Sequence, residues 1–323
     1  MVNRIALITG VLGQDGSYLA QLLLHKGYQL IGTKRTTSDL SNHNYLGITK
    51  QVEYVDCDLQ NETAIQDVIS HYKPDELYHL GGLSAPGQSW SDPKAYTETN
   101  ALGMLYLLNA IKMHSPKTKL VNAATSEMFG AQHQGGLQTE ETPFQPTNPY
   151  AVTKIYAYWM GQIYKKSYNL FVANAILFSH ESPLRGPQFV TRKISMGVAK
   201  IKLGLTDHIV LGNIESKRDW GFAGDYVEAM WRIAQQTEPD DFVLSTGAVH
   251  TIREYLDIAF QYIGIQDWTS YVQTDPTLYR PIDLPNLSGA SEKAQRVLGW
   301  KPQVDFKALV ELMVQADLGR LSG

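Results

Sequence analysis

Tyr150 and Lys154 stand four residues apart in the run Asn148-Pro149-Tyr150-Ala151-Val152-Thr153-Lys154. In a helix that spacing stacks them on one face, one turn apart. An ammonium beside a phenol stabilises the phenolate and lowers a pKa that starts near ~10 toward working pH. A tyrosine so tuned takes a proton from a substrate hydroxyl and later returns it. Alone, the pattern is weak, because tyrosine and lysine at that spacing are usually an ordinary surface pair. A glycine-rich turn near the N-terminus and Thr125-Ser126-Glu127 just upstream therefore bear on the choice.

The elements that would position these groups begin with a short apolar strand over residues 4–9. It runs into Gly10, Gly13, Gln14, Asp15 and Gly16, and helical periodicity follows over 17–25. Glycines in a G-x-x-G-x-x-G spacing between strand and helix turn the chain tightly and admit a pyrophosphate at the helix N-terminus. A plain strand-helix turn is the alternative, but the flanking elements favour dinucleotide binding. A second strand over 27–33 ends in Lys34-Arg35-Thr36-Thr37-Ser38, with cations and hydroxyls but no carboxylate. An acidic residue there would bond a ribose 2'-hydroxyl, whereas arginine accommodates a 2'-phosphate, so Arg35 points to NADP; a solvated basic turn is the other reading. A third strand over 52–55 leads to Asp58 and Leu59, candidates to touch adenine, although a carboxylate at a strand end is often only a turn residue.

Further on, the pattern predicts a helix over 62–70, a strand over 76–80, a long helix over 93–110 and a strand over 119–124. Asn148 reads as the N-cap of the helix carrying Tyr150, and 169–177 as a sixth strand. Small residues after the fourth strand, Gly81-Gly82-Leu83-Ser84, let a ligand approach the backbone. Ligands in open parallel sheets bind at the carboxyl ends of strands, so Thr125, Ser126 and Glu127 should face the same crevice as the glycine loop. The alternation predicts an α/β fold: a Rossmann-type doubly wound parallel sheet with a smaller C-terminal α/β substrate-binding domain. The expected division is 1–178 for the cofactor and 179–323 for the substrate, with parts of 215–250 rejoining the first. Arg192-Lys193, Lys217-Arg218 and Arg280 suggest a second phosphate-bearing ligand, or simply a solvated surface. His180 reads as either a buried, satisfied histidine or a functional one.

The chain has 323 residues, 43% hydrophobic and 19% charged, with a formal net charge of -4. That is ample for a real core and asks for no nucleic-acid partner. Cys57 is the only cysteine, which excludes an intramolecular disulfide and reads as a small buried residue. No metal site is expected, and no apolar run is long enough to span a bilayer, so the expectation is a soluble cytoplasmic protein.

These residues resemble the extended short-chain dehydrogenase/reductases and, within them, the GDP-mannose 4,6-dehydratases. The matching blocks are Thr9-Gly10 through Leu19, Thr125 through Gly130, and Pro149 through Lys154. Further matches are His180 through Ile194, Lys217 through Gly221, and Tyr279-Arg280-Pro281. The resemblance implies that Tyr150, helped by Lys154 and Thr125, deprotonates a sugar 4-hydroxyl while NADP+ takes the C4 hydride. Glu127 would then remove the C5 proton, water would leave from C6, and the hydride would return to C6. It further implies cofactor contacts from Leu80, Ser84, Tyr96, Lys154, His180 and Arg185. Substrate contacts would come from Ser84, Ser126, Ser179, Lys193, Arg218 and Arg280, and the protein would be a homodimer or homotetramer acting on a GDP-hexose.

The sequence departs from the usual family pattern in several places. Leu83 stands where a glutamine is usual, Pro86 and Gln88 are unusual, Ser179 replaces an asparagine, and Thr36 follows Arg35 where a second arginine is frequent. The loop between Glu127 and Tyr150 is slightly longer. Most of these changes lie near the expected sugar pocket and bear on the hexose more than on the reaction. A dehydratase of another nucleotide hexose, an NADP-dependent reductase or epimerase, and a noncatalytic dinucleotide binder are the competing readings. Glu127 discriminates among them, because neither a reductase nor an epimerase needs a carboxylate for C5; a plain loop carboxylate is its bland alternative.

Overall fold

The computed structural model describes residues 4–130, 136–279 and 287–322. Six strands succeed one another along the first half: β1 (Ile5–Thr9), β2 (Gln29–Lys34), β3 (Glu53–Asp56), β4 (Glu76–His79), β5 (Lys119–Thr125) and β6 (Val172–Leu177). A seventh, Phe242–Leu244, joins from much later in the chain. Across the sheet the order is Phe242–Leu244, β6, β5, β4, β1, β2, β3, with every pair parallel.

Both faces of this sheet are covered, which is why its strands are apolar almost throughout. In β1, Ala6 and Ile8 pack toward the helices Gln14–His25 and Ala223–Ala234, in one cluster with Leu19, Leu23, Met230 and Ile233. Leu7 points the other way, into a cluster with Met104, Leu107, Leu108 and Ile65. That alternation is the period-two consequence of the pleat. The order reverses between β1 and β4, and the crevice at such a switch point is where ligands bind.

Helix boundaries follow from local chemistry. The first helix starts at Gln14 rather than at 17, inside the glycine loop, with Gly13 as its N-cap. Asn61 caps Glu62–Tyr72 by accepting from the Ala64 N–H, and Asn148 with Pro149 starts Pro149–Tyr168 in the same way. The sixth strand begins later than its apolar run, because Asn169 ends the preceding helix in the left-handed conformation at φ 54°. The expected long helix over 93–110 is instead three pieces: Pro93–Tyr96, a π-helical turn over Thr97–Leu102, and Gly103–His114. The widened turn brings Asn100 inward. Its amide accepts from the Leu83 N–H at 2.9 Å and donates to the Leu83 carbonyl at 3.0 Å, clasping the loop after β4.

Beyond β6 the strands are short and paired in twos. Ser179–Glu181 lies parallel to Trp220–Phe222, Ile209–Leu211 parallel to Val272–Thr274, and Lys217–Arg218 antiparallel to His250–Thr251. Helices Val190–Lys202, Ile252–Tyr262 and Phe306–Ser322 enclose a separate core of Ile194, Val198, Tyr255, Phe260, Leu309 and Met313. Between these pieces, Ala223–Ala234 and Phe242–Leu244 return to the large sheet. No helix among the described residues is long and apolar enough to cross a membrane.

Candidate active site

A cleft of about 840 Å³ opens at the carboxyl ends of the strands. Gly10 sits at its floor because no side chain fits there. Its φ is +68°, and a Cβ would lie 2.7 Å from the Gly81 Cα. Gly16 is as tightly bound, with a hypothetical Cβ only 2.4 Å from the Gly10 carbonyl oxygen. Gly13 offers no side chain to cap the helix, so the positive end of that helix faces the cleft bare. Thr9 links the two strands of the switch point. Its hydroxyl meets His79 Nδ1 at 2.9 Å and accepts the Gly81 N–H at 3.0 Å. Burial pushes His79 down to about 3, so it stays neutral there.

Most of the residues singled out from sequence line this one cleft. Gly10, Gly13, Gln14, Asp15, Gly16, Arg35, Asp58, Leu59, Leu80 and Ser84 do so, as do Thr125, Ser126, Glu127, Tyr150 and Lys154. Ser179, His180, Arg185, Lys193 and Arg218 contribute from the second half of the chain. Tyr96 does not line it. It is buried behind Tyr150, edge-on to that ring at 6.2 Å, with its hydroxyl donating to the Ala85 carbonyl at 2.6 Å. Arg280 lies outside the described residues. Arg192 is turned inward, paired with Asp317 at 2.6 Å and donating to the carbonyls of Pro183 and Arg185, so it holds the turn rather than a ligand.

Thr125 is the junction of the central group. Its hydroxyl accepts the Glu127 backbone N–H at 3.3 Å and lies on the side of Tyr150 where it favours the phenolate. The Glu127 carboxylate accepts from the Asn148 amide at 2.8 Å. The expected lowering of the Tyr150 pKa by Lys154 is not what the protein alone produces. Burial raises Tyr150 well above the ordinary phenol, and the Thr125 hydroxyl and the Arg185 charge recover only part of that. Lys154 is 7% exposed and donates to the Ala123 carbonyl at 2.9 Å. Burial pushes it down to about 8, and the Asp15 charge acts in the opposite sense.

The second half of the chain is fastened to the glycine loop by side chains. Gln14 donates to the His180 carbonyl and to Asp15, each at 3.0 Å, and the Ser182 hydroxyl donates to Gln14 at 2.8 Å. His180 Nε2 meets Asp15 at 2.8 Å, while Nδ1 meets the Phe178 carbonyl and the ring stacks on Tyr226. Burial opposes the charged imidazole, but the Asp15 carboxylate outweighs it and raises the His180 pKa. The same pairing lowers Asp15 against its own desolvation. Arg185 lies over the Phe189 ring at 3.5 Å and pairs with Glu181 at 3.1 Å. At the rim, Lys34 is taken up by Asp56 at 2.5 Å. The Arg35 guanidinium makes no ion pair among the described residues. Cys57 lines the cleft, but burial pushes its thiol up to about 11, so it has no nucleophilic part.

The tight approach at Gly10 and Gly16, the bare helix start and the cleft's size fit a dinucleotide. Sequence reasoning found Asn148 as a cap but missed its second bond, to Glu127. Asn100 reads from sequence only as part of the long helix over 93–110, with no role attached, and His79 is not singled out. The break at Asn148-Pro149 was the only signal available for the bond to Glu127, and none marked the other two residues.

Residues 7–313 match the family described as GDP-mannose 4,6 dehydratase. Among curated proteins, GDP-mannose 4,6 dehydratase 2 of Arabidopsis thaliana is 45% identical, covering 98% of this chain and 87% of its own length. The GDP-mannose 4,6-dehydratase of Vibrio cholerae serotype O1 is 38% identical, covering 98% and 94%. Among solved structures, the UDP-glucose 4-epimerase of Thermus thermophilus in complex with NAD superposes with a TM-score of 0.86 at 26% identity, covering 98% of this chain and 99% of that one. RMD from Pseudomonas aeruginosa complexed with NADPH gives 0.82 at 21% identity, covering 98% and 100%.

Proposed function

The chain belongs to the GDP-mannose 4,6-dehydratase family, and from that premise we propose that it converts GDP-mannose to GDP-4-keto-6-deoxymannose with NADP. A nicotinamide held in this cleft would supply the hydride chemistry at C4 and C6. The chain's own residues handle protons and position. Tyr150 receives the 4-hydroxyl proton, with Thr125 steadying the phenolate and Lys154 supplying positive charge beside it. The resulting ketone acidifies C5, and Glu127 takes that proton as the C6 hydroxyl leaves as water. His180 and Arg185 hold the cofactor, and Ser84, Ser126, Ser179, Lys193 and Arg218 hold the nucleotide sugar, with Arg280 assigned the same role by resemblance.

The observation that supports this reading is that Glu127, with its backbone N–H bonded to the Thr125 hydroxyl and its carboxylate bonded to Asn148, shares the glycine-lined cleft with Tyr150 and acts on it electrostatically. An epimerase or reductase has no use for Glu127. NADP is preferred over NAD because the residue at the rim beside the glycine loop is Arg35, with its guanidinium not engaged in an ion pair among the described residues. The protein works as a homodimer. Val152, Tyr156, Trp159 and Ile163 repeat along one exposed face of Pro149–Tyr168, opposite the face that holds Tyr150 and Lys154. A face of this kind is self-complementary about a two-fold axis.

Mass spectrometry of GDP-mannose after incubation with the protein and NADP+ tests the activity. Loss of one water without net cofactor reduction is expected, and Glu127→Gln should abolish it. Turnover with net NADPH consumption, or an isomer with no water lost, would instead establish a reductase or an epimerase. Offering several nucleotide hexoses side by side tests the sugar, since Leu83, Pro86, Gln88 and Ser179 lie around the cleft.

A further inference from the structure

The helix that carries Tyr150 begins at Asn148, and the two ends of that one amide do different things. Its Oδ1 accepts the Ala151 N–H at 2.9 Å, capping the helix. A backbone N–H can only donate, so this bond fixes which way the amide faces. The NH2 end is therefore the one turned to Glu127, and it donates to Oε2 at 2.8 Å. Glu127 is 21 residues away in sequence, on the short helical turn Ser126–Phe129 after β5. The amide thus ties the carboxylate's position to the start of the helix that holds the tyrosine.

We propose that Asn148 is a positioning residue for Glu127 in the elimination step, an inference that rests on Glu127 being the C5 base. In that step Glu127 takes the C5 proton. The C–H electron pair forms the C5–C6 double bond, the C6–O bond breaks, and the proton that Glu127 has taken passes to the departing oxygen, which leaves as water. The amide gives Glu127 Oε2 a fixed donor at 2.8 Å. It also holds the carboxylate at a fixed angle to Tyr150, so one sugar pose serves both the oxidation and the elimination. The alternative is that Asn148 only caps the helix.

Three variants separate these roles. Asn148→Ser keeps a good cap but lacks the amide donor. Asn148→Asp keeps the cap and sets one carboxylate against another. Glu127→Gln is the reference for a lost base. Each is loaded with NADP+ and GDP-mannose, and three quantities are followed: turnover, absorbance of the reduced nicotinamide, and sensitivity of turnover to deuterium at sugar C5. Thermal melting is recorded without substrate. For Asn148→Ser we expect turnover to fall about tenfold to a hundredfold with little change in KM. Reduced cofactor should accumulate, the C5 isotope effect should grow, and the melting temperature should stay near that of the unaltered protein. Asn148→Asp should be slower still.

If Asn148→Ser turns over within about twofold of the unaltered enzyme, or slows with no accumulation and no larger isotope effect while Glu127→Gln behaves as a lost base, the positioning role is wrong. If Glu127→Gln itself turns over normally, the base assignment fails and the inference fails with it.

Discussion

Burial works against the chemistry assigned to Tyr150, since a phenol surrounded by protein resists ionisation. Lys154 feels the same penalty and is pushed down to about 8, so the pair cannot be read as a ready-made phenolate. Thr125 matters more in this protein than a spectator hydroxyl would, because it favours the Tyr150 phenolate and accepts the Glu127 N–H. At the rim, a single cation carries the proposed cofactor preference. Replacing Arg35 with Ala should weaken NADP+ binding about tenfold to a hundredfold and leave NAD+ binding almost unchanged. Calorimetric titration with the two nucleotides checks this, and equal losses for both would remove Arg35 from the 2'-phosphate site.

At the scale of elements, the cleft depends on two segments far apart in sequence being locked together. The glycine-loop helix meets the strand Ser179–Glu181 through Asp15 and His180, both largely buried. The pH dependence of this link has a definite sign. The Asp15 pKa is depressed from 3.8, so its contribution is present above that value and lost as pH falls through the folded value. The His180 pKa is raised from 6.5, so its contribution is complete below 6.5 and lost as pH rises through the higher folded value. The link is therefore strongest between about pH 4 and 6.5. His180→Asn should cost about 1–3 kcal/mol in that window and less at alkaline pH. Urea unfolding of both proteins at several pH values measures it, and a cost that grew with pH would contradict the pairing. The π-helical turn at Thr97–Leu102 belongs to this scale too. It interrupts a helix whose sequence reads as continuous, and the reason is the contact Asn100 makes with the Leu83 backbone.

For the whole molecule, the exposed stripe of Pro149–Tyr168 is the feature on which the proposed dimer rests. Trp159 is 53% exposed and Val152 54%, on the outer side of the helix whose inner side carries Tyr150 and Lys154. Dimerisation would clamp that helix from outside while the sheet clamps it from within. Trp159→Glu places a charge in the middle of the stripe, so it should shift the protein to a monomer in sedimentation analysis and lower its melting temperature. An unchanged sedimentation coefficient would mean that the stripe is not the contact.

Much was legible in the chain itself, because local chemistry decides it. The glycine spacing, the apolar strands, the Asn148-Pro149 start and the hydroxyl-carboxylate run at Thr125 each impose a backbone or a charge wherever they occur. The parallel doubly wound sheet followed from that alternation. Tertiary structure decided the rest. Only the folded chain shows that burial outweighs Lys154 at Tyr150, that Tyr96 backs the site instead of lining it, and that Arg192 is consumed by Asp317. Only it brings Asn148 to Glu127, and Asp15 to His180 across 165 residues. Desolvation and long-range pairing depend on which groups are neighbours in space, and spacing along a chain does not contain that information.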